Sequence, residues 1–213
     1  MLTLFDYLPS QNAWKVRQLL NHLGTPYRTE LVSIFEGEGQ VREYLAINPT
    51  GAVPAIRLDD GRVLAESNAI LMFLAEDTPY LPVDRFERAK VAQWLSFEGN
   101  YVEPVIGALR HWILTGKAAR RAPEVVESRR AGSLKALHIL DRELALRPFI
   151  AVEAYTIADI SLFAYVSRAG EADLPLADFA NVVAWIDRVR ARPGFLDATY
   201  PYSIDPHSGG ELP

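Results

Sequence analysis

The sequence of 213 residues contains no cysteine. Without cysteine the chain has no disulfide framework, no zinc–thiolate site and no thiol nucleophile of its own. Any thiol chemistry at this protein therefore requires a thiol that belongs to another molecule.

Long apolar runs and a surplus of positive charge are also missing. No stretch reaches the length of about 18 apolar residues that a membrane span needs. The first ten residues, MLTLFDYLPS, lack the basic segment and the small-residue cleavage site of a secretory signal. The net charge of −5 disfavours a nucleic-acid surface, which normally carries a basic face. We therefore expect a cytoplasmic protein that binds neither membranes nor nucleic acids.

Motifs for metals and nucleotides are absent as well. The four histidines are scattered, without an HExxH motif or a pair spaced four residues apart: His22, His111, His138 and His207. The segment FEGEGQ has two glycines but matches neither GxGxxG nor GxxxxGK[ST]. The sequence thus predicts no metal site, no dinucleotide fold and no phosphate-binding loop.

Short strands and helices alternate at the start of the chain. LTLF at 2–5 and YRTELV at 27–32 are predicted strands, and apolar periodicity predicts a helix over 12–23 that Gly24 ends. A helical crossover is how two parallel strands are joined, so these segments predict a parallel β–α–β unit.

The next segments predict a hairpin and another helix. After a short helix near 40–47, AIRL and RVLA flank an Asp-Asp-Gly turn that is typical of a hairpin. SNAILMFLAE at 67–76 is then predicted to be a helix that Ser67 caps. Residues 1–76 therefore form the first predicted domain, of class α/β.

The composition changes after this domain. DTPYLPVD at 77–84 carries two prolines and is typical of a linker. Beyond the linker only helical patterns remain, near 85–116, 123–146, 157–170 and 179–191. The second predicted domain is all-α, covers 85–213 and includes the C-terminal tail. Its segment YTIADI matches a helix start, with Thr156 as N-cap and Asp159 three residues later.

One proline raises a question. In NPTGAVPAI, residues 48–56, Pro54 directly precedes a predicted strand although proline cannot donate to a sheet ladder. Either Pro54 is the first residue of an edge strand, or the Val53–Pro54 bond has an unusual geometry that turns nearby backbone groups toward a ligand. Cis bonds occupy only about 5–6% of X–Pro linkages in folded proteins, so local pattern alone favours the edge-strand alternative.

The order of these segments resembles the glutathione transferase family. The resemblance rests on strand–helix–strand–helix, NPTGAVPAI, a hairpin, ESNAI, a proline-bearing linker and a helical half with TIADISLFAY, and it extends to about residue 195. It implies a thioredoxin-like N-terminal domain and a C-terminal helical bundle. It also implies glutathione as the co-substrate, no metal, and a homodimer in which the helical domain packs against the partner's N-terminal domain.

The resemblance implies a set of glutathione-binding residues. In the family the proline that corresponds to Pro54 is cis, which turns the backbone of Val53 outward to bind the cysteinyl part of glutathione. Glu66 and Ser67 lie where the hairpin becomes a helix, so a carboxylate could dock at the helix start and Glu66 could pair with the α-ammonium. Taken alone, Ser67 could equally be a plain N-cap and Glu66 a favourable helix-end charge.

Catalysis is expected in the loop DYLPSQNAWKV. A thiol becomes a thiolate at neutral pH when a helix N-terminus and a hydroxyl or amide donor stabilise it. The resemblance favours Ser10 as this donor, then Asn12, then Tyr7. Each also has a structural alternative: Ser10 or Asn12 as a helix cap, and Tyr7 as a packed aromatic at a strand end.

One position departs from the family pattern. A His, Lys or Gln commonly reaches the glycyl carboxylate from the loop FEGEGQVREYL, and the matching position here is Gly39. Gln40 beside it, or Arg42, is the candidate replacement. The second substrate is expected between this loop and the helical domain, with apolar walls from Phe97, Tyr101 and Trp112, although aromatics on long helices are commonly core residues.

The leading functional expectation is a glutathione transferase that uses the thiolate of glutathione against a small hydrophobic electrophile. The alternatives are a glutathione-dependent disulfide reductase, favoured if Asn12 faces the sulfur, or a peroxidase. A further alternative, from a different class, is a non-catalytic ligand carrier or assembly module with the same fold.

Overall fold

A computed structural model describes all 213 residues of the chain as two compact units. The four strands are β1 (Leu2–Asp6), β2 (Tyr27–Leu31), β3 (Ala55–Arg57) and β4 (Val63–Ala65). The eight α-helices are α1 (Gln11–Leu23), α2 (Arg42–Leu45), α3 (Ser67–Leu74), α4 (Arg85–Phe97), α5 (Ala108–Leu114), α6 (Pro123–Leu144), α7 (Ile157–Val166) and α8 (Ala180–Arg190). The first unit holds the sheet and α1–α3, and the second unit holds α4–α8.

The sheet of the first unit has the order β2-β1-β3-β4. β1 and β2 are parallel, whereas β3 is antiparallel to both β1 and β4. Strand side chains alternate between the two faces of a sheet. Accordingly, Leu4 and Ile56 pack with Val16 and Leu20 of α1 in one buried cluster. The next residue along β1, Phe5, belongs to a separate cluster on the other face. The predicted thioredoxin-like class of this domain is confirmed.

Helix α1 begins and ends as the sequence predicts. The Oγ of Ser10 accepts a hydrogen bond from the Ala13 N–H and caps the N-terminus. Gly24 ends the helix in the left-handed region, at φ 61°, where glycine has no Cβ to clash. Nine of the 13 residues of α1 are buried, including polar ones. Amphipathic helices usually leave one face to solvent, so something covers the second face of α1.

That cover is the C-terminal tail, residues 193–213, which belongs to the first unit. Gln18 donates to the Gly194 carbonyl and accepts from the Leu196 N–H, at 3.0 and 2.7 Å. The indole N–H of Trp14 donates to the Leu196 carbonyl. The predicted second domain included this tail, and the structure differs because polar side chains of α1 hydrogen-bond the tail backbone. The first unit is therefore 1–76 with 193–213, and the second is 77–192.

The second unit is all-helical, as predicted. The stretch predicted as one helix over 85–116 consists of α4, a wider π-helical segment over Glu98–Gly107, and α5. Pro104 lies inside the π segment. Because proline lacks an N–H and its ring clashes with the preceding turn, it disrupts regular α-helical bonding there. Shorter 3₁₀ turns lie at Ile34–Glu36, Glu38–Gln40, Ala118–Arg120, Ala169–Ala172, Leu176–Asp178 and Tyr202–Ile204.

The predicted helix start at Thr156 is confirmed as a capping box. The Asp159 carboxylate accepts from the Thr156 N–H, and the Thr156 side chain bonds the first turn of α7. Asp159 also accepts from the Ile150 N–H and from the indole N–H of Trp185, both at 2.9 Å. One fully buried carboxylate thus joins α7, α8 and the loop before α7.

One cap differs from its prediction. Ser67 is the first residue of α3 rather than its N-cap, and the cap position is taken by Glu66, whose side chain makes no cap hydrogen bond. The physical reason is the backbone of Glu66, which at φ 69° and ψ 112° is not helical. No helix of the structure combines the length and the apolar character needed to cross a membrane.

Candidate functional site

Three chain segments converge at one end of the sheet. Phe5 of β1 pairs with Ala55 of β3, and Ala55 pairs with Ala65 of β4. Because β3 is antiparallel to both neighbours, the residues after β1, before β3 and after β4 share this end. The sequence candidates of the first unit lie on these three segments: Tyr7, Ser10 and Asn12 after β1, Val53 and Pro54 before β3, and Glu66 and Ser67 after β4.

The segment before β3 has a cis Val53–Pro54 bond, which answers the question that Pro54 raised. The turn that leads into it is held by side chains. The Ala52 carbonyl accepts from the Tyr44 hydroxyl and from the Asn48 amide, both at 2.7 Å. The Oδ1 of Asn48 in turn accepts from the N–H and the hydroxyl of Thr50. This network fixes the position of the Val53 backbone at the end of the sheet.

The segment after β4 contains a strained residue. Glu66 is exposed and has φ 69°, in the left-handed half of backbone space where a non-glycine residue is uncommon. Such strained residues are enriched at ligand-binding sites. Ser67 follows at the start of α3 and is buried, at 8% exposure. A carboxylate next to a helix N-terminus gives this segment one negative group and an adjacent set of N–H donors.

The first turn of α1 faces the first turn of α3. The Ser67 hydroxyl donates to Asn12 Oδ1 at 3.3 Å, and the Lys15 ammonium donates to the same Oδ1 at 2.8 Å. Lys15 Nζ also lies 3.5 Å from Ser67 Oγ. Two positions separated by 55 residues in the sequence are thus joined at one amide oxygen. Lys15 is not among the residues predicted from the sequence, although its spacing of three residues from Asn12 places both on one helix face.

Tyr7 is turned toward the tail. Its hydroxyl donates to Asp205 Oδ2 at 2.7 Å, and its ring contacts Phe35 edge-on. Burial raises the pKa of Tyr7 well above its ordinary value, and Asp205 raises it further. The Tyr7 hydroxyl therefore donates its single proton to Asp205. Because its pKa is raised, Tyr7 does not form a tyrosinate near neutral pH.

A buried ion pair holds the loop between β1 and α1. The Arg17 guanidinium donates to both oxygens of Asp6, at 2.9 and 2.7 Å, and to the Leu8 carbonyl. Burial raises the pKa of Asp6, and the adjacent Arg17 charge opposes that rise. Because Leu8 is bonded within this pair, the backbone leading to Ser10 has a fixed course. Removing either partner alone would leave a buried charge uncompensated.

A cavity of about 330 Å³ lies beside this loop, within the first unit. Its walls come from the loop after β1, from the end of β2 and its following turn, and from the tail. Leu8, Pro9 and Val32 give it apolar surface, and Glu36 and His207 lie at 3.3 Å from each other among its lining groups. The tail thus shapes a space beside the loop between β1 and α1, and no local pattern in the sequence predicts it.

The loop after β2 approaches the segment before β3. Gly39 is buried against the Gly51 backbone, so closely that a Cβ on Gly39 would clash with the Gly51 carbonyl. The Gln40 amide lies beside Gly51 on the same turn. Gln40 is therefore near the backbone that leads to Val53, whereas Arg42 is exposed at the start of α2.

The aromatic candidates of the second unit do not form one group. Phe97 and Tyr101 stack with ring centroids 5.3 Å apart, and Tyr101 is 55% exposed. Trp112 instead contacts the guanidinium groups of Arg121 and Arg129, at 5.3 and 6.0 Å from its centroid. No three His, Asp or Glu side chains are grouped so that they could hold a metal ion.

Comparison with known families gives two matches that together span most of the chain. The model of the glutathione S-transferase N-terminal domain matches residues 9–77. The model of the glutathione S-transferase C-terminal domain matches residues 102–193. The first match lies within the first half of the chain, and the second covers most of the remainder.

Similar proteins come from several bacteria. The chain is 32% identical to the disulfide-bond oxidoreductase YfcG of Escherichia coli, over 91% of this chain and 92% of that protein. A solved glutathione S-transferase from Xanthobacter autotrophicus Py2 is 36% identical, with a TM-score of 0.90 over 96% of this chain and 99% of that one. A family member from Pseudomonas fluorescens Pf-5, solved with two glutathione molecules bound, is 28% identical, with a TM-score of 0.79 over 91% and 89% of the two chains.

Proposed function

Because the chain belongs to the glutathione S-transferase family, we propose that it binds glutathione at the converging end of the sheet and activates the thiol for attack on a small hydrophobic electrophile. The chain has no cysteine, so the reacting sulfur is that of glutathione. The contribution of the protein is to orient the tripeptide and to lower the pKa of its thiol.

The observation that carries this proposal is the hydrogen-bonded contact between Asn12 and Ser67. It brings the first turn of α1, where a thiolate would be stabilised, next to the first turn of α3, where a carboxylate would bind. A tripeptide with a carboxylate at one end and a thiol at its middle spans two such positions. The family resemblance assigns the same two regions to the same ligand groups.

The binding roles follow from charge and backbone geometry. The α-carboxylate of glutathione binds at Ser67 and the start of α3, and the adjacent α-ammonium pairs with the exposed Glu66 carboxylate. The Val53 backbone, next to the Ala52 carbonyl that Tyr44 and Asn48 hold, bonds the cysteinyl residue as an added strand would. Gln40 reaches the glycyl carboxylate from its place beside Gly51.

Thiol activation is assigned first to Ser10, then to Asn12. A free thiol has a pKa of about 8.5, and lowering it by about two units requires roughly 2.7 kcal/mol of preferential thiolate stabilisation. The Ser10 Oγ accepts from the Ala13 N–H, which leaves its hydroxyl proton to be donated outward. Tyr7 comes last, because its proton is bonded to Asp205.

The cavity beside the loop offers a place for part of the electrophile. Its apolar walls at Leu8 and Pro9 lie within two residues of Ser10 along the chain. Thiolate attack on an electrophilic carbon forms the C–S bond and expels the leaving group with the electron pair. Phe97, Tyr101 and Trp112 stay in the proposal as candidate contacts of the second substrate.

A disulfide reductase is the second candidate, and two observations favour it. The chain is similar to a protein named as a disulfide-bond oxidoreductase. In addition, the Asn12 amide is held in one orientation by Lys15 and Ser67, so it is a preorganised donor. In this reaction the glutathione thiolate attacks a disulfide sulfur, and the other sulfur leaves as a thiolate.

We also propose a homodimer. Val83 and Phe86, at the start of α4, are 94% and 73% exposed. Large apolar side chains that are this exposed and close in sequence are typical of an association surface. The family resemblance implies a dimer in which the helical domain packs against the partner's N-terminal domain.

Calorimetric titration with glutathione tests binding, and turnover assays then separate the two reactions. The wild type is expected to bind at or below millimolar ligand, and Glu66→Ala should weaken binding by about 1.5–3 kcal/mol, the typical value of a hydrogen bond to a charged group. Glu124→Ala is the matched control, because Glu124 is an exposed glutamate in the first turn of another helix, α6. Turnover of an aryl halide supports the transferase, and turnover of a small disulfide alone supports the reductase. Binding without either turnover would indicate a carrier.

A further inference from the structure

We propose that Lys15 is a positioning residue that aims the donors of the Asn12 amide at the sulfur of glutathione. This inference rests on the proposed function, since it concerns the same site. It adds Lys15 to the residues that activate the thiol, and it predicts that the orientation of the Asn12 amide depends on Lys15.

The contacts of Lys15 are unusual for a lysine. Its side chain is on α1 and is fully buried, at 0% exposure, whereas lysine is almost never fully buried unless paired. Its ammonium donates to Asn12 Oδ1 at 2.8 Å and lies 3.5 Å from Ser67 Oγ. Both neighbours belong to the first turns of the two helices that the proposed site joins.

The chemistry of an ammonium fixes how the Asn12 amide is turned. An ammonium has donors and no acceptor, so a side-chain amide beside it must present its oxygen. The Ser67 hydroxyl donates to the same oxygen, which reinforces this orientation. Because oxygen and nitrogen lie on opposite branches of a planar amide, the two N–H donors of Asn12 are directed away from Lys15 and Ser67.

The consequence is a preorganised thiolate donor. Without Lys15, the amide could rotate and lose the fixed direction of its N–H groups. A buried cation bonded to the amide oxygen also polarises the N–H groups, and low surrounding polarity strengthens that effect. Both effects favour the charged thiolate over the neutral thiol, so they lower the pKa of the bound thiol rather than the dissociation constant of the neutral tripeptide.

The test is an ultraviolet titration of the thiolate of bound glutathione in the wild type, Lys15→Met, Asn12→Ala and the double variant. Lys90→Met is the matched control, because Lys90 is a lysine of the second unit whose ammonium bonds Gln93. Lys15→Met should raise the pKa of the bound thiol by about one unit, in the range produced by a nearby opposite charge. In the Asn12→Ala background, Lys15→Met should shift the pKa of the bound thiol by less than half as much. Lys90→Met should leave it unchanged.

The outcomes separate the failure of this inference from the failure of the proposed function. An unshifted thiol pKa in the wild type overturns both. If the bound thiol has a lowered pKa in the wild type and the same pKa in Lys15→Met, only the role of Lys15 is overturned. A Lys15→Met effect of equal size with and without Asn12 also overturns it, because Lys15 would then act independently of the amide.

A second variant keeps the inference testable if Lys15→Met does not fold. Asn12→Asp retains oxygen acceptors toward Lys15 and Ser67 but removes both N–H donors. We expect a melting temperature no lower than that of the wild type and a bound thiol pKa at least one unit higher. A lower melting temperature would contradict an oxygen facing the ammonium, and an unchanged thiol pKa would contradict donation by the amide.

Discussion

The hydroxyl of Tyr7 donates a 2.7 Å hydrogen bond to Asp205, a residue 198 positions later in the chain. Tyr7 lies in the loop after β1, and Asp205 lies in the C-terminal tail. The bond therefore fastens the tail beside the proposed active-site loop. It also gives Tyr7 a structural role.

The first prediction concerns this bond. Tyr7→Phe should leave the pKa of the thiol of bound glutathione close to its wild-type value, because the hydroxyl that is removed donates its proton to Asp205. It should loosen the tail, since Asp205 Oδ2 then lacks the hydroxyl donor. Thiolate titration and limited proteolysis of the tail measure the two effects. Asp205→Ala should reproduce the faster proteolysis, and a thiol pKa that rises by a unit in Tyr7→Phe would return Tyr7 to the catalytic group.

The fold was largely predictable from periodicity, and the tail was not. Short apolar segments and Asp-Asp-Gly indicated the strands and the hairpin, and Thr156 with Asp159 indicated a helix start. These signals are local. The position of the tail depends on Gln18 bonding the backbone at Gly194 and Leu196, and no local pattern reveals that a buried glutamine has a partner so far along the chain.

The candidate site also combines residues that local patterns predict with residues whose position depends on distant parts of the chain. Glu66 and Ser67 were predicted from their place at a hairpin end, and the cis bond at Pro54 followed only from the family resemblance. Lys15 was missed because a lysine on a helix is ordinarily solvent-exposed. Its ammonium lies 3.5 Å from the hydroxyl of Ser67, which is distant in sequence and near only after the sheet has formed.

The second prediction separates two roles of Ser10. Ser10→Ala should destabilise the protein by about 1 kcal/mol, because α1 loses its N-cap. If Ser10 also donates to the sulfur, the pKa of the bound thiol should rise by about 1 to 2 units. Ser10→Thr keeps both the cap and the donor and is the control. A loss of stability with no change in thiol pKa would reduce Ser10 to a cap.

The third prediction is a pH dependence of stability at Asp159. Burial raises the pKa of this carboxyl from 3.8 to about 6, while hydrogen bonds from Ile150, Thr156 and Trp185 oppose the rise. The folded protein thus disfavours the charged carboxylate, which lowers the free energy of unfolding. This cost in stability is present in full above pH 6, and it is lost as the pH falls toward the ordinary pKa of the carboxyl. The contribution of Asp159 to the free energy of unfolding should become more favourable by about 1 kcal/mol from pH 7 to pH 5.

Urea unfolding of the wild type and of Asp159→Asn at both pH values measures this contribution. The substitution should destabilise the protein at pH 7, because the Thr156 N–H loses its carboxylate acceptor. The gap between the two proteins should widen at pH 5, since only the wild type titrates at this position. A gap that is the same at both pH values would contradict the raised pKa.

The fourth prediction concerns assembly. Light scattering at micromolar concentration should give twice the mass of one chain. Phe86→Glu should shift the protein toward the monomer, because a charge would replace a large exposed apolar side chain at the proposed contact. Val125→Glu, at an apolar residue of α6 that is also exposed, serves as the control. A wild type that is monomeric throughout would contradict the proposed homodimer.

The central claim is that this chain binds glutathione and lowers the pKa of its thiol. The most direct measurement is a pH titration of ultraviolet thiolate absorbance for glutathione bound to the wild-type protein, beside the free tripeptide. The bound thiol is expected to ionise about two units below the free value of about 8.5. A bound thiol that ionises at the same pH as the free tripeptide would contradict thiol activation by this protein.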